Sequence, residues 1–146
     1  MRSVISLYTG AGGMDYGFEA AGFETAVALE LDHDCCETLR ENRTWPVIER
    51  SIFEVPTAEL LAAGNLDARE PDLLIGGPPC QPFSKAAFWT DPGAEARYRR
   101  ARAKVIVMKR PPSPKAQRDK RRTLVQEFWR LVVEARADGF ILENVP

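Results

Sequence analysis

The sequence predicts an α/β fold, in which helices cover both faces of a parallel β-sheet. Short apolar runs typical of buried strands alternate with segments of helical spacing along most of the 146 residues. Glycines follow several of these runs, where a strand would turn into a helix. Hydrophobic residues make up 45% of the chain, which is enough for a core of its own. Such alternation favours a parallel sheet over separate layers of strands and helices.

The first part of the chain contains the predicted elements in strict alternation. Gly22 and Gly64 end the first and third helices, and Asp32 or Asp34 can cap the second. Thr57 is expected to cap the third helix. The predicted strands are 4–8, 25–29, 46–48 and 72–75, and the predicted helices are 15–21, 32–42 and 57–63.

The later part of the chain is less regular. Residues 85–118 contain four prolines and show no clear periodicity, so much of this segment is predicted to be loop. Apolar residues then recur at helical spacing from Leu124 to Ala135, and Gly139 ends that helix. The run 140–142 predicts a fifth strand.

Charge is unevenly distributed along the chain. The segment 97–122 holds 12 of the 20 Lys and Arg residues and only one of the 21 acids, although the net charge is -1. A solvated loop and a surface that faces nucleic-acid phosphates both fit this composition.

Cysteine and histidine are scarce. Three cysteines, two of them adjacent, make a poor disulfide framework, and the single histidine argues against a zinc site or any other metal centre. No apolar run approaches the ~20 residues of a membrane span, and the N-terminal run is too short for a signal peptide. A cytoplasmic location is therefore expected.

Three unusual segments follow predicted strands, and the carboxyl ends of parallel strands are where such sheets bind ligands. Gly10, Gly12 and Gly13 would let the backbone approach a ligand closely. Glu30 ends the next strand, where a carboxylate can accept hydrogen bonds from ribose hydroxyls. An ordinary strand-to-helix turn and a surface acid remain the alternatives for these two features.

Cys80 and Glu143 follow the fourth and fifth strands. Prolines on both sides of Cys80 stiffen the chain, as the fixed trajectory of a nucleophile requires. No histidine lies near it in sequence, so its surroundings would have to activate the thiol. Glu143 ends an apolar strand, where an acid needs a partner or a task unless it faces solvent.

These segments resemble signature motifs of the cytosine-5 DNA methyltransferase family. The first, fourth and sixth motifs are matched by 7–13, 77–84 and 143–145. Residues 119–124 resemble a further motif, with Arg122 where glycine is usual. The resemblance implies the Rossmann-like fold of S-adenosylmethionine-dependent methyltransferases.

The resemblance also implies roles for individual residues. S-adenosylmethionine would be bound by Tyr8, Gly10, Gly12, Gly13, Met14, Glu30, Leu31, Ser51, Ile52, Pro78 and Leu124. Ser51 stands where the family usually has an acid. Cys80 would attack C6 of a flipped-out cytosine, and Glu143 would hydrogen-bond the ring. Gln81 and Asn144 would assist catalysis, and Ser84, Lys85 and Arg121 would contact DNA.

The implied organisation is one partial catalytic domain. It comprises a cofactor and nucleophile half (1–84), a basic extended active-site loop (85–118), and a helix and strand with Glu143 (119–146). The family's target-recognition region has no counterpart in the sequence, so a complementing C-terminal half, a fragment and an inactive remnant are open alternatives. A tRNA substrate also remains open. We expect little methyl transfer from the chain alone.

Overall fold

The computed structural model describes residues 2–80, 94–104 and 123–144. Of residues 94–97 it describes the backbone only. Five strands and five α-helices lie in these ranges. The strands are β1 (Arg2–Leu7), β2 (Phe23–Glu30), β3 (Val47–Glu49), β4 (Leu73–Gly76) and β5 (Gly139–Leu142). The helices are α1 (Gly13–Ala20), α2 (His33–Asn42), α3 (Thr57–Ala63), α4 (Ala94–Ala103) and α5 (Leu124–Ala135), with a 3₁₀ turn at Ile52–Glu54.

The five strands form one sheet in the order β3-β2-β1-β4-β5, and every neighbouring pair is parallel. The predicted parallel α/β fold is therefore confirmed. Because β1 lies at the centre, the turn that follows it is flanked by the ends of β2 and β4.

The main core lies on the face of the sheet that α3 and α5 cover. Ile5, Leu7, Val27 and Leu29 point to this face and join Phe128 of α5 in one apolar cluster. Phe128 is 1% exposed. Truncation of such a ring to alanine costs about 3–5 kcal/mol, so α5 contributes much of the stability of this sheet.

A register shift interrupts the pairing of β1 with β2. Val4 pairs with Thr25, but Ile5 pairs with Val27, so Ala26 has no partner in β1. Thr25 consequently faces α1, and its hydroxyl donates to the buried carboxylate of Asp15 at 3.1 Å. Val27 faces the opposite side and packs in the main core. The extra residue thus changes the face that β2 presents.

Two local predictions were wrong. Thr57 does not cap α3, because Pro56 occupies the N-cap position and the Thr57 hydroxyl instead bonds the Glu134 carboxylate. Gly139 does not end α5, which ends at Ala135 with Arg136 as its C-cap; Gly139 instead begins β5. Within the segment 85–118, much of which was predicted to be loop, residues 94–103 form α4. Residues 94–103 are rich in alanine and arginine, which have high helix propensity and lie between the prolines that led to the loop prediction.

The described residues fall into two compact units. The sheet, with residues 2–79 and 123–144, forms one unit, whereas Cys80 and α4 belong to the other. Among the described helices, none combines the length and apolar character needed to cross a bilayer.

Candidate active site

The carboxyl ends of β1, β2, β4 and β5 lie side by side, because all four strands are parallel neighbours. The chain leaves these ends through Tyr8, Leu31, Gly77 and Glu143. The glycine turn, the approach to Cys80 and the Glu143 segment therefore start at one edge of the sheet, as expected for a ligand site in this architecture.

Glu30, the last residue of β2, organises the backbone around it. Its Oε2 accepts from the Gly10 amide at 2.7 Å, and its Oε1 accepts from the amides of Leu31 at 2.7 Å and Asp32 at 2.9 Å. A carboxylate has about four acceptor positions, so about one remains on Oε2 for a ligand hydroxyl. Glu30 thus ties the glycine turn to the end of β2.

The glycine turn itself has a left-handed backbone. Tyr8 has a φ of 54° although it carries a side chain, and Gly12, the N-cap of α1, has a φ of 85°. The positive φ favours glycine at position 12, and a Cβ there would also lie 3.0 Å from Leu39 Cδ2, which would have to shift. A strained non-glycine residue such as Tyr8 is typical of a functional site.

An open cavity of about 450 Å³ lies beside Glu30. Half of its lining residues were predicted from the sequence, namely Tyr8, Glu30, Leu31, Ser51, Ile52 and Leu124. The others are Leu29, Asp32, His33, Arg50, Gly77 and Pro79. Several of these directly flank predicted residues at strand ends, and that adjacency is the signal by which they could have been found.

The remaining predicted cofactor residues do not line this cavity within the described part of the chain. Gly10, Gly12, Gly13 and Met14 lie in the turn and the first residues of α1, and Gly10 is linked to the cavity through Glu30. Pro78 lies one residue before Pro79 and accepts a hydrogen bond from Asn144.

Tyr8 links the cavity to the start of α5. Its hydroxyl donates to the backbone oxygen of Leu124 at 2.7 Å. Burial, with the nearby charge of Glu127, raises the pKa of Tyr8 well above its usual range. The hydroxyl therefore stays protonated and remains a donor at any physiological pH.

Glu143 lies against Gly77, which directly follows β4. Its amide donates to Gly76 O at 3.0 Å, and a Cβ at Gly77 would lie 3.1 Å from Glu143 Oε2. Asn144 Nδ2 donates to Pro78 O at 3.5 Å. Within the described residues, the Glu143 carboxylate accepts no hydrogen bond, and its side chain is exposed. The carboxylate thus lies close to Gly77 and is open to solvent.

Cys80 follows Pro79 directly and is a free, partly exposed cysteine. The other predicted residues of this region, Gln81, Ser84, Lys85 and Arg121, lie outside the described residues. The described part of the basic segment is exposed on α4, where Arg99, Arg100 and Arg102 reach solvent.

A group of three side chains near the cavity has the composition of a metal site. Potential ligand atoms of His33, Glu37 and Glu49 lie within 4.8 Å of one another. Arg40 already supplies the positive charge, since its NH1 lies 2.8 Å from Glu37 Oε1 and 2.6 Å from Glu49 Oε2. A metal ion would have to displace this guanidinium.

Comparison with known proteins identifies the family. Residues 2–101 match the family model of the C-5 cytosine-specific DNA methylases. This match covers well over half of the chain. The chain belongs to the C-5 cytosine-specific DNA methylase family.

Two curated relatives of this family are Type II methyltransferases. M.AquIA of Picosynechococcus sp. is 44% identical over 145 residues, which cover 99% of this chain and 48% of the relative. M.SacI of Streptomyces achromogenes is 36% identical, over 97% of this chain and 34% of the relative. The chain thus spans about half of one relative and about a third of the other.

A solved structure supports the methylase fold. A protein from an E. coli prophage, described as a DNA modification methyltransferase, superposes with a TM-score of 0.68 at 27% identity. The superposition covers 100% of this chain and 32% of the prophage protein. The Rossmann-like fold expected from the sequence motifs is therefore confirmed.

Proposed function

We propose that the chain forms the cofactor-binding and nucleophile part of a DNA (cytosine-5)-methyltransferase of a restriction-modification system. The observation that carries this proposal is that residues at the ends of β1, β2 and β4 line the Glu30 cavity, and that β5 ends next to β4 at the same edge of the sheet. β4 leads through two prolines to Cys80, and β5 leads directly to Glu143. The Type II methyltransferase relatives support the same function.

The cavity residues fit S-adenosylmethionine. Glu30 retains an acceptor position for a ribose hydroxyl, and Leu31 and Ile52 offer apolar surface for the adenine. Leu31 is 66% exposed, and a bound adenine would cover part of this apolar surface, which is favourable. When bound, S-adenosylmethionine supplies an electrophilic methyl group on a positively charged sulfur.

Cys80 is the proposed nucleophile. Its thiolate adds to C6 of the cytosine and forms a carbon–sulfur bond, and electron density moves to C5, which becomes nucleophilic towards the methyl group. C5 would then form a bond to the methyl group while the bond between that methyl group and the positively charged sulfur breaks, which leaves a neutral thioether. A base would finally remove the C5 proton, and Cys80 would leave as the carbon–sulfur bond breaks. Pro78 and Pro79 restrict the backbone in front of the thiol, which favours one direction of attack.

Glu143 is the proposed stabiliser of the cysteine addition. Its carboxyl group would accept a hydrogen bond from the exocyclic amine and share a proton with N3, which neutralises the negative charge that develops on the ring. Asn144 would hold the segment through its bond to Pro78 O, and Gln81 would assist next to the nucleophile.

DNA is the proposed substrate, with a cytoplasmic site of action. Exposed arginines of α4, together with Ser84, Lys85 and Arg121, would contact the phosphates and the flipped cytosine. The proposal includes a complementing C-terminal half that supplies target recognition.

The test is covalent trapping on DNA. The chain, mixed with the C-terminal half of the Picosynechococcus relative, is incubated with S-adenosylmethionine and duplex DNA that carries 5-fluorocytosine. We expect a stable adduct that Cys80→Ser abolishes and that Cys35→Ser, the matched control, leaves intact. Trapping by Cys80→Ser would contradict the nucleophile, and methylation of tRNA instead of DNA would contradict the substrate.

A further inference from the structure

Arg130, on α5, holds a backbone segment that forms one wall of the cofactor cavity. Ser51 and Ile52 line the cavity, and the chain then continues through the 3₁₀ turn to Val55. This segment has little regular structure of its own. The Glu54 amide donates to Ser51 O at 2.9 Å and closes the turn.

The Arg130 guanidinium donates to two carbonyl groups of this segment. NH2 lies 3.1 Å from Ile52 O and 3.4 Å from Val55 O. Both residues are nearly fully buried, at 4% and 1% exposure. Loss of the donor would leave buried carbonyls unsatisfied, which costs about 1–3 kcal/mol for each such group.

The rest of the guanidinium is fixed by side chains. Nε donates to Glu127 Oε2 at 2.7 Å, and NH1 lies 3.3 Å from Thr57 Oγ1 and 3.2 Å from Glu134 Oε2. Thr57 and Glu134 are also hydrogen-bonded to each other. Arg130 therefore connects α5, the start of α3 and the cavity wall. A planar guanidinium can direct donors to all these groups together, whereas a lysine ammonium cannot.

We propose that Arg130 is a positioning residue for cofactor binding, acting through the 51–55 wall rather than by contact with the ligand. The inference rests on the proposed function, because the cavity is taken to be the S-adenosylmethionine site. α5 also leads into β5, and Phe128 packs on Phe140 with ring centroids 6.2 Å apart. The same helix thus supports the cavity wall and the strand that ends before Glu143.

Two measurements on Arg130→Lys test the proposal. The first is hydrogen exchange of the 52–55 amides in the full 146-residue chain without ligand. We expect at least tenfold faster exchange there, with the amides of 128–132 unchanged. The second is calorimetric titration with S-adenosylhomocysteine, the demethylated product of the cofactor, where we expect at least fivefold weaker binding.

Matched variants separate positioning from charge and from general destabilisation. Glu127→Gln removes one ion pair but keeps the bonds to both carbonyls, and Arg136→Lys makes the same chemical change at the exposed end of α5. Both should stay within twofold of the wild type in both measurements. Unchanged exchange at 52–55 in Arg130→Lys, or unchanged affinity despite faster exchange, would overturn the inference. Failure of the wild type to bind would instead count against the proposed function, and exchange alone would then decide the role of Arg130.

Discussion

Glu30 ends β2 and Glu143 directly follows β5 at the same edge of the sheet, yet their environments differ. Glu30 accepts three backbone hydrogen bonds and holds the glycine turn in place. Glu143 packs against Gly77, and within the described residues its carboxylate accepts none. One acid is therefore part of the framework of the cavity, whereas the carboxylate of the other is open to solvent. Identical side chains should consequently give different losses when neutralised.

Neutralisation of Glu143 should have the largest effect on activity. In Glu143→Gln we expect methyl transfer to fall by about 100-fold or more, because a preorganised stabilising group is lost. Cofactor-product affinity and the free energy of unfolding should not change. The measurements are methylation with the complementing half, calorimetry and urea unfolding. Glu24→Gln, which changes an exposed acid on β2, is the control. Normal activity of Glu143→Gln would contradict the expected difference between Glu143 and Glu30.

Neutralisation of Glu30 should act on binding and stability instead. In Glu30→Gln the side-chain oxygen can still accept from some of the three backbone amides, but the side-chain NH2 group faces another amide donor to donor. We therefore expect the free energy of unfolding to fall by about 1–3 kcal/mol. Cofactor-product affinity should fall about tenfold in calorimetry. Glu24→Gln again serves as the control. Stability equal to that of the wild type would show that Glu30 does not organise the turn.

Removal of the Tyr8 hydroxyl tests whether its hydrogen bond stabilises the residues around the cavity. Tyr8→Phe keeps the ring but loses the hydrogen bond to Leu124 O, which should lower stability by about 1 kcal/mol in urea unfolding. Tyr16→Phe is a matched control, because Tyr16 is half exposed and its hydroxyl has no hydrogen bond among the described residues. Equal losses in both variants would contradict a specific role for the Tyr8 hydroxyl.

A third acid, Asp15, differs from both and should give the smallest effect. Burial raises the pKa of Asp15, despite hydrogen bonds from Ser6 and Thr25. Its contribution to stability is therefore complete below the unfolded pKa and is lost as pH rises through the higher folded pKa. Relative to Asp15→Asn, the wild type should lose stability as pH rises above about 4.

Urea unfolding of the wild type and of Asp15→Asn between pH 3.5 and 7 measures this difference in stability. If the free energies of unfolding of the two proteins changed in parallel with pH, the prediction would be wrong. Asp72 provides the opposite sign as a control. Its backbone bond from Ser3 lowers the pKa of Asp72, so its stabilisation is lost as pH falls. Relative to Asp72→Asn, the wild type should therefore lose stability as pH falls.

The sequence predicts those features that depend on neighbouring residues. Alternating apolar runs predict the parallel sheet, and the glycines, Glu30, Cys80 and Glu143 stand out because they follow strands. The Glu30 carboxylate was predicted to face a ribose, but its bonds to backbone amides were not. Those bonds depend on the left-handed turn at 8–12, which residue type alone does not define.

Features formed by distant segments were missed. The contact between Arg130 and Ile52 spans 78 residues, and nothing near either residue indicates it. The cavity residues Arg50 and His33 were missed because polar residues at strand ends are common on any surface. α4 was missed because prolines on either side outweighed the helix propensity between them.

The unpaired Ala26 determines where β2 can change in length. Deletion of Ala26 would leave Thr25 opposite Val4 and Val27 opposite Ile5, so every later side chain would keep its face. Deletion of Ala28, two positions on, would force either Val27 out of the main core or Glu30 onto the other side of the sheet. Homologous strands should therefore vary in length at position 26, while a gap at 28 would mark a protein that has lost its carboxylate at the cavity.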